Sequence, residues 1–144
     1  MKKRKHHRPR IRRPHLAEIA GAFALIDAAM RQIASGEVFA DEKGTLIFQA
    51  DGEWCETAPA LLGWVDLWQR LSDQHAMGLN MAPLAQLANR LSYDVPLTPE
   101  GVEAAKQCVD ACRKAYRNMD IHAVKSVVRT QEIAVAMREN LGAA

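Results

Sequence analysis

No stretch of this sequence runs uncharged for the roughly 18 residues that a membrane span requires, so an integral membrane protein is not expected. Cysteine is scarce: Cys55, Cys108 and Cys112 are an odd set without framework spacing, and nothing asks for an oxidising compartment. Glycine (8) and proline (6) are few against 24 alanines, which excludes a collagen-like chain and favours helices over an all-β design. Phosphate cradles of the G-x-G-x-x-G or G-x-x-x-x-G-K-S/T type are absent. Aromatics make up only 6% of the chain. The last absence is local: residues 1–15 contain no acid at all.

That missing acid uncovers the main feature of the sequence. Lys2, Lys3, Arg4, Lys5, Arg8, Arg10, Arg12 and Arg13 place eight cations in the first fifteen residues, beside His6, His7 and His15. The rest of the chain holds 11 basic and 17 acidic side chains, so the formal net charge of +2 sums a basic arm and an acidic body. With one aliphatic residue, Ile11, and two prolines, the arm is predicted to be disordered until it meets a partner. The expected division is a disordered basic arm over 1–15 and a single helical domain over 16–144, a size that suits one domain.

Leu16, Ile19, Ala20, Phe23, Ile26, Met30 and Ile33 recur at helical spacing, and Ser35-Gly36 supplies a stop. The basic arm, this apolar stretch and Arg12-Arg13 together imitate an export signal. Glu18, Asp27 and Arg31 interrupt the stretch, so a cytoplasmic setting is expected instead. Between Gly36 and Thr57 the period shortens. Thr45–Gln49 is β-rich, Asp51-Gly52 is a strong turn, and Glu53–Glu56 returns, predicting one short β-hairpin over about 45–56.

A second helix is predicted from Thr57 to about His75, broken by Gly78, and a third from Asn80 or Met81 to near Tyr93. Thr98-Pro99-Glu100 reads as an N-cap, an N1 proline and a first-turn acid for a fourth helix reaching Met119. Asp120 caps a fifth, carrying Ile121, Val124, Val128, Val135 and Leu141 and halted by Gly142. The predicted fold is therefore mainly α: about five helices in a compact bundle with one hairpin. The largely apolar faces of helices four and five leave room for a homodimer seam.

Few residues suggest chemistry. Cys108 and Cys112 share a helical face and form half of a metal site, which Cys55, His75 or His122 would have to complete. Zinc sites carry a second ligand pair and none is present, so neither a metal nor another cofactor is expected. His75 and His122 stand beside no nucleophile, and Asp51, Glu53 and Glu56 match loop solvation better than paired acid–base carboxylates. No enzyme is expected and no catalytic residue is assigned. Trp64 and Trp68, four apart, point the same way and could form an interface hot spot or a base-stacking platform. The simpler expectation is that Trp68 anchors the core and Trp64 covers the hairpin.

Lys3-Arg4-Lys5 and Arg8-Pro9-Arg10, followed by a helical remainder with the Leu97-Thr98-Pro99-Glu100 helix start, resemble small bacteriophage and prophage proteins of uncharacterised function. The resemblance implies a mobile-element protein acting in the bacterial cytoplasm on DNA, RNA or host machinery, a class that includes anti-CRISPR proteins. Two functions are expected from this point. In the first, Lys2, Lys3, Arg4, Lys5, Arg8, Arg10, Arg12 and Arg13 contact nucleic-acid phosphates without base specificity. In the second, the chain inhibits or adapts a host nucleic-acid-binding protein, with its acidic body meeting a basic surface.

Overall fold

The structure, a computed structural model, describes residues 12–126 together with 128 and 129. Among these residues it is mainly α, with five helices and one small antiparallel sheet. The ends of the expected arm and of the fifth helix, including Val135, Leu141 and Gly142, lie outside them.

Helix α1 (Leu16–Ser35) opens with the His15 N–H donating to Glu18 Oε1 at 3.3 Å, which ties the helix entry to its first turn. It closes at Gly36, whose φ of 75° is the left-handed conformation that only glycine adopts freely. Ile19, Phe23, Ile26, Met30 and Ile33 form its buried stripe, as the spacing predicts, whereas Leu16 and Ala20 at its start are exposed.

The expected hairpin is part of a three-stranded sheet. Strands β2 (Leu46–Ala50) and β3 (Glu53–Glu56) pair around Asp51-Gly52, both with positive φ, as a two-residue turn matching strand twist requires. A third strand, β1 (Phe39–Ala40), adds to the other edge of β2. Two residues are too few to register as alternation. The strand exists because the loop that joins it to β2 is built: Asp41 Oδ1 accepts from the Lys43 and Thr45 N–H groups, each at 2.9 Å, and Gly44 turns the chain at φ 80°.

Where β1 stops, a side chain replaces it. Buried Gln32 of α1 donates from Nε2 to the Gln49 carbonyl at 2.6 Å and accepts from the Gln49 N–H at 2.9 Å through Oε1. Its amide thus makes the two bonds a longer β1 would have made, and it locks the sheet onto α1. Phe48, fully buried, delivers the inner face of the sheet to the core.

Helix α2 (Thr57–His75) follows β3 directly, and α3 (Ala82–Ser92) follows a short loop. The break after α2 comes before Gly78: Ala76, at φ 50°, takes the left-handed cap. Helix α4 (Pro99–Tyr116) starts at Thr98, whose Oγ1 accepts from the Gly101 N–H at 3.0 Å, and ends one turn before the expected Met119. A fifth helix, α5, is described at 121–126 and 128–129.

Phe23 centres an aromatic cluster, with ring centroids 4.9 Å from Trp64, 6.0 Å from Trp68 and 5.6 Å from Tyr116. Trp68, 2% exposed, is the expected anchor, and Trp64 joins it against Phe23.

Candidate nucleic-acid interface

Of the eight arm cations, Lys2, Lys3, Arg4, Lys5, Arg8 and Arg10 lie outside the described residues. Arg12 and Arg13 are described, and the structure separates them. Arg13 is exposed. Arg12 is bound into the body: its guanidinium grips Glu18 through two parallel bonds, Nη1 to Oε1 at 2.9 Å and Nη2 to Oε2 at 3.1 Å. Its backbone is held as well. The Arg12 N–H donates to Asp120 Oδ1 at 3.4 Å, and its carbonyl accepts from the Ile121 N–H at 2.9 Å. Asp120 meanwhile accepts from the His122 N–H at 3.2 Å, capping α5.

Arg12, one of the eight cations expected to contact phosphates, is thus paired with Glu18 and held by its backbone at the start of α5. The mutual bond raises the Arg12 pKa above its ordinary value. It also lowers the Glu18 carboxyl, first through Arg12 and then through the His15 N–H.

The anchor sits at the basic end of the body. Residues 111–129 carry five cations, Arg113, Lys114, Arg117, Lys125 and Arg129, against one acid, Asp120. Arg113 is held by Asp27 in a second forked pair, with Nη1 2.9 Å from Oδ2, and its guanidinium lies 4.7 Å from the centre of the Phe23 ring. Lys114, Arg117, Lys125 and Arg129 are exposed. Lys125 and Arg129 rim a largely apolar groove of about 610 Å³ between α1 and α5, floored in part by Tyr116, Ile121 and Val124 and bordered by Glu18.

The sheet end has the opposite character. Residues 37–56 hold six acids and one cation, Lys43. On the outer face of the sheet Phe39 and Trp54 meet edge to face at 6.0 Å while remaining 56% and 54% exposed. They border a shallow groove of about 530 Å³ with Arg31, Glu37, Gln49 and Asp51. Trp54 stands out in the sequence beside Trp64 and Trp68 but receives no role from it. Its signal was present: the Asp51-Gly52 turn pairs Gln49 with Trp54 and Phe48 with Cys55, so a buried Phe48 turns Trp54 outward.

The cysteines take a different position from the half zinc site. Cys108 and Cys112 project from α4 onto Met81 at the start of α3, and all three are buried. The Cys108 thiol is lowered to about 7, first by a hydrogen bond from Cys112 and, against the cost of burial, by the Leu84 backbone N–H. Cys112 is pushed up, because it gives its proton to that bond and is buried. Cys55, His75 and His122 do not complete a ligand set: among the described residues no three His, Cys, Asp or Glu side chains gather. His75 and His122 are exposed at opposite ends of their helices, α2 and α5.

Comparison with protein-family models, with curated proteins and with solved structures returns no match. Among the described residues no helix is long and apolar enough to cross a membrane.

Proposed function

We propose that this is a non-enzymatic accessory protein of bacteriophage type that binds nucleic acid, or a nucleic-acid-bound complex, in the cytoplasm through its basic N-terminal arm. The observation that carries the reading is the anchoring of the arm by Arg12 at the cationic end of the body. Lys2 to Arg10 and Arg13 would then track a phosphate backbone continuous with Arg117, Lys125 and Arg129. Such contacts position a protein on nucleic acid and read no bases. The acidic sheet end repels the same polymer and leaves the arm end to approach it.

The test is a salt titration of binding to random DNA and RNA with the full chain. Affinity falls steeply with salt in this reading, each neutralised phosphate contributing about 0.7–0.9 to the log–log slope. Binding weaker than about 100 μM at physiological salt, which is the weak end of non-specific affinity, overturns it.

A second reading has its own observation. Exposed Phe39 and Trp54 within an acidic segment suit a basic protein surface, with the aromatics as central anchors and the carboxylates steering association. In that reading the chain inhibits or adapts a host nucleic-acid-binding protein, as an anti-defence protein would. Trp54→Ala then abolishes capture of such a partner, while arm substitutions leave it intact.

A further inference from the structure

Met81 stands immediately before α3 with its thioether directed at two thiols of α4. Its Sδ lies 3.5 Å from Cys112 Sγ and 3.7 Å from Cys108 Sγ. The two cysteines are four apart, so one helical face presents both to the same point. Cys108 also contacts the Asn80 carbonyl, at 3.3 Å, and accepts from the Leu84 N–H. Three buried sulfurs, one at the start of α3 and two on α4, thus converge in the core.

The chemistry of that set is selective. Thiolate and thioether donors are soft and favour soft cations, Cu(I) foremost, over the hard ions that take oxygen. Zinc in a closed site asks for four ligands in a tetrahedron, and here a thioether takes the place of a third His, Cys or carboxylate. A metal–sulfur bond of about 2.3 Å sets three sulfurs in a trigonal plane about 4 Å apart. The two contacts of Met81, at 3.5 and 3.7 Å, need to open by only a few tenths of an ångström.

We propose that Cys108, Cys112 and Met81 form a three-sulfur site for one Cu(I) ion. On loading, the cation takes the place of the two thiol protons, which leave to solvent, and copper stays in the Cu(I) state throughout. The centre then carries one net negative charge. The Leu84 N–H, in the first turn of α3, donates to Cys108, and the positive end of that helix faces the same sulfur, so the charge is met where it forms. Entry is through Cys108, which keeps 7% exposure and adjoins the exposed Asn80. Because its ligands join α3 to α4, bound copper pins those helices together and raises the melting temperature.

The experiment is an anaerobic titration of the reduced full chain with Cu(I) in competition with a chromogenic Cu(I) chelator, with Zn(II) run in parallel. The expected result is one copper per chain, an ultraviolet thiolate-to-copper charge-transfer band and a raised melting temperature, with no stoichiometric zinc. Cys55→Ser leaves all of this unchanged, and Cys108→Ala removes it. Met81→Leu conserves volume and so keeps the fold; it weakens Cu(I) binding at least tenfold even where the cysteine variant folds poorly. Copper uptake that follows Cys55, that survives Cys108→Ala, or that is indifferent to Met81→Leu overturns the site. So does equal retention of zinc.

Discussion

Arg12 and Glu18 lock together six residues apart, across the boundary between a basic arm and the first helix of the body, in a forked pair with bonds of 2.9 and 3.1 Å. Arg12 also borrows a backbone bond from α5, so one residue joins the chain entry to both ends of the described body. Arg12 is thus tied to α1 through Glu18 and to α5 through Asp120 and Ile121. Deleting residues 2–11 should leave the thermal transition nearly unchanged, whereas deleting 2–13 should lower it. Circular dichroism melts of the two truncations decide this, and equal melts would remove the anchor.

The same pair sets a pH dependence. Glu18 has a folded pKa below its unfolded value, so its contribution is complete above about pH 4.3, the ordinary carboxyl value, and is lost as pH falls through the lower folded value. The melting-temperature gap between wild type and Arg12→Ala should accordingly be open at neutral pH and close in acid. A gap that widens on acidification would contradict the assignment.

Gln32 is the point where the sheet depends on one side chain. Replacing it with Leu leaves the Gln49 N–H and carbonyl without their partners in a part-buried place, a loss of about 1–3 kcal/mol. Hydrogen exchange at the Gln49 amide should accelerate in the variant beyond what the global change in stability explains. An unaltered amide would mean that water substitutes fully for Gln32.

The helices were legible because their signals are local. Thr98-Pro99-Glu100 marked the start of α4 and Ser35-Gly36 the end of α1, since caps follow from one residue's own backbone preferences. What escaped depends on distant partners. β1 is held by the Asp41 loop and by its pairing with β2, neither of which a two-residue alternation records. Arg12 looked like its neighbours because Asp120 and Ile121, which fix its backbone, lie more than a hundred positions away. Met81 stayed out of the ligand count for a similar reason: it is 27 residues from Cys108, and a thioether is no zinc ligand.

Ala76 is a residue in the wrong conformation for its type. It caps α2 at φ 50°, is exposed, and holds the left-handed geometry in which a side chain costs about 1–2 kcal/mol. Ala76→Gly should raise stability by about 0.5–1 kcal/mol, the relief being partly offset by glycine's greater freedom in the unfolded chain. Denaturant melts measure it directly, and a destabilised variant would show that Ala76 makes a packing contribution.

The two tryptophans of opposite exposure separate folding from recognition. Trp68→Ala, at the aromatic cluster, should cost about 3–5 kcal/mol, as large core truncations do. Trp54→Ala should stay within about 0.5 kcal/mol of wild type, as surface substitutions do. A large loss at Trp54 would make the outer face of the sheet a structural element and remove its case as an interface.

Neighbouring arginines give the final and sharpest division. Arg12 and Arg13 are chemically identical and adjacent, yet one is paired with Glu18 and the other is exposed. In the nucleic-acid reading, Arg8→Ala, Arg10→Ala and Arg13→Ala should each flatten the salt slope by up to about 0.7–0.9, with no change in melting temperature. They should do so equally on unrelated sequences, because phosphate contacts carry no base information. Arg12→Ala should do the reverse, lowering the melting temperature while leaving the slope near wild type. Fluorescence anisotropy across a salt series, paired with thermal melts of the same four variants, separates the outcomes. Slopes that ignore Arg8, Arg10 and Arg13 alike would remove the arm as the phosphate-binding element and favour the acidic, aromatic sheet end.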